Sequence, residues 1–174
     1  MGSVNFANIG ASGLGFAIRQ AWRRWKDGER TIVAAVCYRV RTDGEIEFLL
    51  VRTRAGRWTF PKGGIDGDRT PAAAAAREAY EEAGVLGRVE ARPFTGYVHA
   101  KGDRVVHPVS AYLCEVLRME KPAESYRSPA WFCAEKAKRR LREARRAAYA
   151  NELERVVDGA VRRLARNYSE VAAV

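Results

Sequence analysis

Glu78, Glu81 and Glu82 place three carboxylates on one short stretch of chain. At about 100° per residue of α-helix, Glu82 lies about 40° to one side of Glu78 and Glu81 about 60° to the other, so the three share a face. Like charges at these spacings oppose the helix and call for a cation. Arg77, about 40° around from Glu81, offsets one charge. A Mg²⁺ ion would offset the rest, because carboxylate and water oxygens suit that hard cation. A solvated, glutamate-rich helix face fits the same spacing equally well.

The flanking residues bound this helix. Thr70-Pro71 supplies a capping hydroxyl and a proline at the first helical position. Five alanines, Ala72 to Ala76, propagate the helix, and Gly84 ends it. Ala72, Ala76, Ala79 and Ala83 form a stripe opposite the glutamates, predicted to lie against a sheet, while Ala74 and Ala75 leave room beside the carboxylates. Ahead of the helix, Lys62 to Arg69 reads as a loop rich in Gly and Asp, where glycine lets backbone approach a ligand closely.

Loop and helix together resemble the NUDIX hydrolase signature, G-x5-E-x7-R-E-U-x-E-E-x-G-U, with U an aliphatic residue. Gly63 falls on its first glycine, Arg77-Glu78 on the Arg-Glu pair, and Ala79 and Val85 on the two U positions. Glu81-Glu82 falls on the acidic pair and Gly84 on the last glycine. Trp58-Thr59-Phe60-Pro61-Lys62-Gly63-Gly64 is similar to the family's approach to its loop. One position departs: Arg69 stands where the signature has its early glutamate, which in the family supports the geometry of loop and helix. Asp68 could take that part after a small shift. The resemblance implies an α+β NUDIX fold, an α-β-α sandwich with a mixed central sheet. It also implies Glu78, Glu81 and Glu82 as ligands for Mg²⁺, or Mn²⁺, with Arg77 beside them in the catalytic set.

The reaction this implies is hydrolysis of a phosphoanhydride bond. A metal would neutralise phosphate oxygens and acidify water, and a carboxylate, Glu81, Glu82 or a later one such as Glu124, would act as base. Candidates for holding substrate are Arg52, Arg54 and Arg57 before the loop, Lys62, Gly63 and Gly64 within it, and Lys101, Arg104 and His107 after it. Arginine offers paired donors matched to phosphate. Arg57 to Pro61, Arg77 to Gly84 and Trp131-Phe132 look similar to the branch that degrades diphosphoinositol and diadenosine polyphosphates. A net charge of +10 suits so charge-dense a substrate.

The elements that must position these residues follow from pattern. Thr31 to Val40 and Ile46 to Thr53 are β-branched runs joined by Thr42-Asp43-Gly44-Glu45, a hairpin signal. Arg92 to Ala100 and Val105 to Leu117 read as further strands, and Ala134 to Asn167 as one long basic helix. Leu14, Ile18, Trp22 and Trp25 recur at helical spacing. The chain of 174 residues therefore divides into a flexible arm (1–13), an amphipathic helix (14–28) that packs on the domain or on a second copy in a homodimer, the catalytic domain (29–133), and a basic helical extension packed on it (134–174).

Of these residues 47% are apolar and 30% charged, enough for one core and unlike a disordered chain. No stretch approaches the roughly 20 apolar residues that span a bilayer, nor does the start read as a secretory signal, so a cytoplasmic protein with no membrane role is expected. Cys37, Cys114 and Cys133 are expected to be reduced core thiols. The rival to a phosphorylated small-molecule substrate is nucleic acid, bound along Lys136 to Arg146 as in an RNA-processing, decapping-like protein. A phosphate-binding module without turnover is a third reading.

Overall fold

The computed structural model describes residues 32–67, 69–101 and 105–171. The arm, the first amphipathic helix, Asp68 and Arg104 lie outside the described residues. The strands are β1 (Ile32–Val40), β2 (Ile46–Arg52), β3 (Trp58–Thr59), β4 (Lys62–Gly64), β5 (Val85–Val89), β6 (Thr95–Lys101), β7 (Val105–Met119) and β8 (Ala130–Cys133). The helices are α1 (Pro71–Ala83), α2 (Ala134–Arg142) and α3 (Ala147–Val171), with a 3₁₀ turn at Ser125–Arg127.

The sheet is mixed. Its main path runs β3-β2-β1-β7-β5, with β4 paired to β1, β6 to β7 and β8 to β2. Among the described strands only the central β1–β7 pair is parallel, running from Ile32 opposite Val109 to Tyr38 opposite Glu115. A strand buried on both faces must be apolar throughout, and Val33 to Cys37 are fully buried. Alternation sorts their side chains. Ala34, Val36, Phe48 and Leu50 face a core completed by Leu141, Leu153, Val156 and Leu164 of α2 and α3. Val33, Ala35, Leu49 and Val51 face a second core completed by Ala74, Ala75, Ala79 and Ala83 of α1. The result is the expected α-β-α sandwich.

Four expectations are corrected. The alanines of α1 that bury are Ala74, Ala75, Ala79 and Ala83, whereas Ala72 and Ala76 are only partly covered. The packed face is thus rotated toward the glutamates, and Glu82 is itself buried at 3% exposure. Lys62–Gly64 is a strand, because antiparallel pairing to the central β1 supplies what glycine-rich composition lacks. The long basic helix is two helices. Glu143 turns extended and Ala144 takes φ 54°, so that α2 and α3 both lay apolar residues on one core, which a straight rod would not do. Finally, Cys37 and Cys114 are buried but Cys133 is exposed, since it ends edge-paired β8.

Candidate active site

Helix α1 is fixed at both ends by the residues that its sequence supplies. Thr70 Oγ1 accepts from the backbone N–H of Ala73 at 3.2 Å, and a cap of this kind contributes about 1 kcal/mol. At the other end Gly84 adopts the left-handed conformation, φ 69°, and its N–H donates to Tyr80 O at 2.8 Å. A side chain there would collide with the carbonyl of Glu120, whose own N–H donates to Gly84 O at 2.7 Å. The end of β7 is thereby tied to the end of α1. A few residues on, Glu124 N–H donates to Glu81 O at 3.1 Å, and the 3₁₀ turn that follows swings Arg127 under the helix.

Each of the three glutamates meets a different partner. The Glu78 carboxylate rests directly against Gly63, in the space a Cβ would fill. Glu81 accepts from Arg77 Nε at 2.8 Å, and Arg77 also reaches Asp66 at 3.2 Å, so Arg77 braces the loop to the helix. Glu82 accepts the backbone N–H of Lys62 at 3.2 Å and is ion-paired to Arg127, which in turn holds Glu124 at 2.5 Å. Arg69 is exposed and, among the described residues, makes only a 3.5 Å contact to Asp66 O. Among the described residues, the loop carboxylate that pairs with Arg77 is Asp66.

These contacts set the charges. Burial, then the nearby charge of Glu81, raises the Glu78 pKa, with Glu124 adding to the push. Burial pushes Glu82 up to about 7 against the opposing pull of Arg127 and Lys62. Hydrogen bonds from Tyr126 and Arg127 hold the Glu124 carboxyl below its ordinary value. Burial also lowers Lys62 to about 8. Among the described residues no three His, Cys, Asp or Glu side chains are grouped to hold a metal ion. Arginines instead occupy Glu81 and Glu82.

The basic candidates separate. Arg57 and Lys62 line a cavity of about 230 Å³, with Lys62 Nζ donating to Thr59 Oγ1 at 3.1 Å. Arg52 and Arg54 line an open depression with Tyr126. There Arg52 lies 4.4 Å over the Trp58 ring and Arg54 5.0 Å over Tyr126. Gly64 has open space at its Cα. His107 sits opposite His99 in the β6–β7 pair, and it is His99 that lines the cavity. Burial drives the His99 pKa down to about 3, leaving the imidazole neutral.

Sequence reasoning missed Arg127, His99 and Arg145, which no local pattern distinguishes from surface residues. Within the basic run from Lys136 to Arg146, Lys138 pairs with Glu135 and Asp158, Arg140 with Glu143, and Arg142 with Glu154.

Comparison with known proteins bears on the family and the fold. The family described as NUDIX domain matches residues 30–152. Nudix hydrolase 17, mitochondrial, of Arabidopsis thaliana is 42% identical over 76 residues, covering 40% of this chain and 42% of that one. Diphosphoinositol polyphosphate phosphohydrolase 2 of Rattus norvegicus is 34% identical over 64 residues, 37% of this chain and 36% of the other. Each match spans less than half the relative's length. Among solved structures, a C. elegans Ap4A hydrolase binary complex superposes with a TM-score of 0.60 at 22% identity, covering 78% of this chain and 98% of that one. The NUDIX domain of Shewanella oneidensis NrtR, complexed with ADP ribose, gives 0.59 at 18%, covering 88% and 99%. These structures share the fold.

Proposed function

Because the chain belongs to the NUDIX family, we propose that it is a metal-dependent pyrophosphohydrolase, cleaving a phosphoanhydride bond in a highly phosphorylated substrate such as a diphosphoinositol or dinucleoside polyphosphate. One observation carries this reading. Glu78 is pressed onto Gly63 at the mouth of the loop, partly buried, on the same helix as Glu81 and Glu82. Carboxylate oxygens are donors that suit a hard divalent cation, Mg²⁺ or Mn²⁺. Glu78, Glu81 and Glu82 would hold it. When bound, it supplies neutralisation of phosphate oxygens and acidification of water.

The protein's own residues do the rest. Gly63 lets the loop backbone close on the helix. Arg77 holds Glu81 toward the loop through Asp66. Lys62 offers its ammonium group to substrate phosphate while its N–H steadies Glu82. Glu82 or Glu124 takes the proton from the attacking water, and Arg127, bound to both, keeps them in reach of one another. The paired charges on α2 weigh against a nucleic-acid surface there. Among the described residues no helix is long and apolar enough to cross a membrane.

The test is release of phosphate or nucleotide from diphosphoinositol, dinucleoside polyphosphate and ADP-ribose substrates with Mg²⁺, comparing wild type with Glu82→Gln. Loss of a catalytic carboxylate should lower kcat by about 10² to 10⁴. Full activity in the variant would remove Glu82 from the mechanism, and no release from any substrate would leave only a binding role.

A further inference from the structure

The connection from β7 to β8 runs through a strained turn. Ser128 holds φ 44° without being glycine, in front of Pro129, and a proline disfavours helical angles in the residue before it. Strain of this kind persists only where the surroundings over-determine it, and it collects at functional sites. Contacts on both sides supply the constraint. Glu124 N–H donates to Glu81 O of α1 at 3.1 Å. Arg127 pairs with Glu82 and reaches Arg52 O at 3.5 Å. The Tyr126 ring lies 5.0 Å from the guanidinium carbons of both Arg54 and Arg127.

Two of these residues converge on a single carboxylate oxygen. The Tyr126 hydroxyl donates to Glu124 Oε2 at 2.6 Å, and Arg127 Nε donates to the same oxygen at 2.5 Å. Among the described residues no hydrogen bond is made to Glu124 Oε1. Glu82 is the opposite case, because Arg127 occupies its Oε1 and the Lys62 N–H its Oε2. Exposure agrees: the Glu82 side chain is 5% exposed and that of Glu124 40%. A general base must come within hydrogen-bond reach of the water it deprotonates. Glu124 has one oxygen anchored and one open, whereas Glu82 has to lose a partner first.

We infer that Tyr126 positions Glu124 for the attacking water, and that Glu124 rather than Glu82 accepts the proton. The inference rests on the proposed hydrolase reading. In that step one proton of the water passes to Glu124 Oε1, the water oxygen bonds to phosphorus, and the anhydride P–O bond breaks with its electron pair on the departing phosphate. The proton then leaves Glu124 for that phosphate or for solvent, which restores the carboxylate. The terminal torsion of a glutamate is broad, so an unanchored Glu124 would present its oxygens at many angles. Two donors on Oε2 fix the plane of the group, and the ring, set against Arg54 and Arg127, keeps the phenol in place. Tyr126 itself touches no reacting atom; it acts through Glu124.

The experiment is steady-state kinetics with Mg²⁺ on the substrates named above. Tyr126→Phe keeps the ring and loses only the hydroxyl. Its kcat should fall about tenfold, the size of one charge-assisted hydrogen bond, while KM stays within about twofold because substrate binding is untouched. Tyr80→Phe removes another exposed tyrosine hydroxyl, one that donates to Glu120 at 3.4 Å, and should leave both constants at their wild-type values. Glu124→Ala should lower kcat by about 10² to 10⁴. Adding Tyr126→Phe to Glu124→Ala should lower it no further, since the group being positioned has gone, whereas a purely structural role would cost the same factor in both backgrounds. Tyr126→Phe with wild-type kcat, an equal loss when residue 124 is already alanine, or a raised KM in place of the lowered kcat would each overturn the inference and leave the hydrolase reading standing. A wild-type protein that turns over none of the substrates would end both.

Discussion

Glu78 lies against Gly63 so closely that a methyl group on that glycine would occupy the place of the carboxylate. The two residues belong to different elements, β4 and α1, and their contact fixes the loop to the helix at the point where the proposed chemistry occurs. Gly63→Ala must move Glu78 or open the loop. Because misplacing a reacting group by about 1 Å costs on the order of a hundredfold, kcat should fall by about that factor, and the Mg²⁺ concentration for half-maximal rate should rise. A Gly63→Ala enzyme with wild-type kcat and metal dependence would show that the contact is dispensable.

Arg127 and Glu82 form a mostly covered ion pair, with side chains 14% and 5% exposed. Removing one partner of such a pair strands the other charge. Glu82 keeps the Lys62 N–H and can take up a proton, so Arg127→Met should cost about 2 to 3 kcal/mol in metal-free buffer, at the lower edge of what a stranded buried charge costs. Added Mg²⁺ should recover part of that loss by replacing the missing positive charge. Urea unfolding with and without Mg²⁺ measures both, and an unchanged midpoint would contradict the role given to the pair.

Glu82 also predicts a pH dependence. Its folded pKa, about 7, lies above the ordinary carboxylate value of 4.5, so the folded protein binds more protons than the unfolded chain between the two. Stability from this group is therefore present at acid pH and lost as pH rises through about 7. Metal binding requires the ionised form, so the Mg²⁺-induced rise in Tm should grow over the same interval. Melting curves from about pH 5 to about pH 8, with and without Mg²⁺, test the sign. A Mg²⁺ shift that shrinks toward alkaline pH would be the wrong one.

The features that could be read from sequence are those with local causes. Thr70, Pro71 and Gly84 bound α1 to the residue, because capping chemistry is a matter of neighbours. The buried strands β1 and β2 were visible in their β-branched runs. The residues that escaped are brought in from a distance. Arg127 reaches Glu82 only because Glu124 N–H finds Glu81 O across the fold. Arg145 enters its cavity through a break at Glu143 and Ala144 that contains neither glycine nor proline, so an apparently continuous basic helix gave no sign of it. Short β5 and β8 lack a periodic signal of their own and exist through pairing with β7 and β2.

The departure at Arg69 is resolved by the same geometry, and this yields the last prediction. Were position 69 the support for the helix, Arg69 would place a positive charge where Arg77 needs a negative one. Instead Arg69 is exposed, and Arg77 spans from Glu81 at 2.8 Å to Asp66 at 3.2 Å. Asp66→Asn removes the charge that holds Arg77 toward the loop. It should lower kcat by about tenfold, the size of one lost charge-assisted contact, with little change in KM. Arg69→Glu alters an exposed position away from the helix contacts, so its stability should stay within about 0.5 kcal/mol of wild type and its rate within a few-fold. Steady-state kinetics on the two variants separates the alternatives. A large gain in kcat for Arg69→Glu, with Asp66→Asn unaffected, would return the supporting role to position 69.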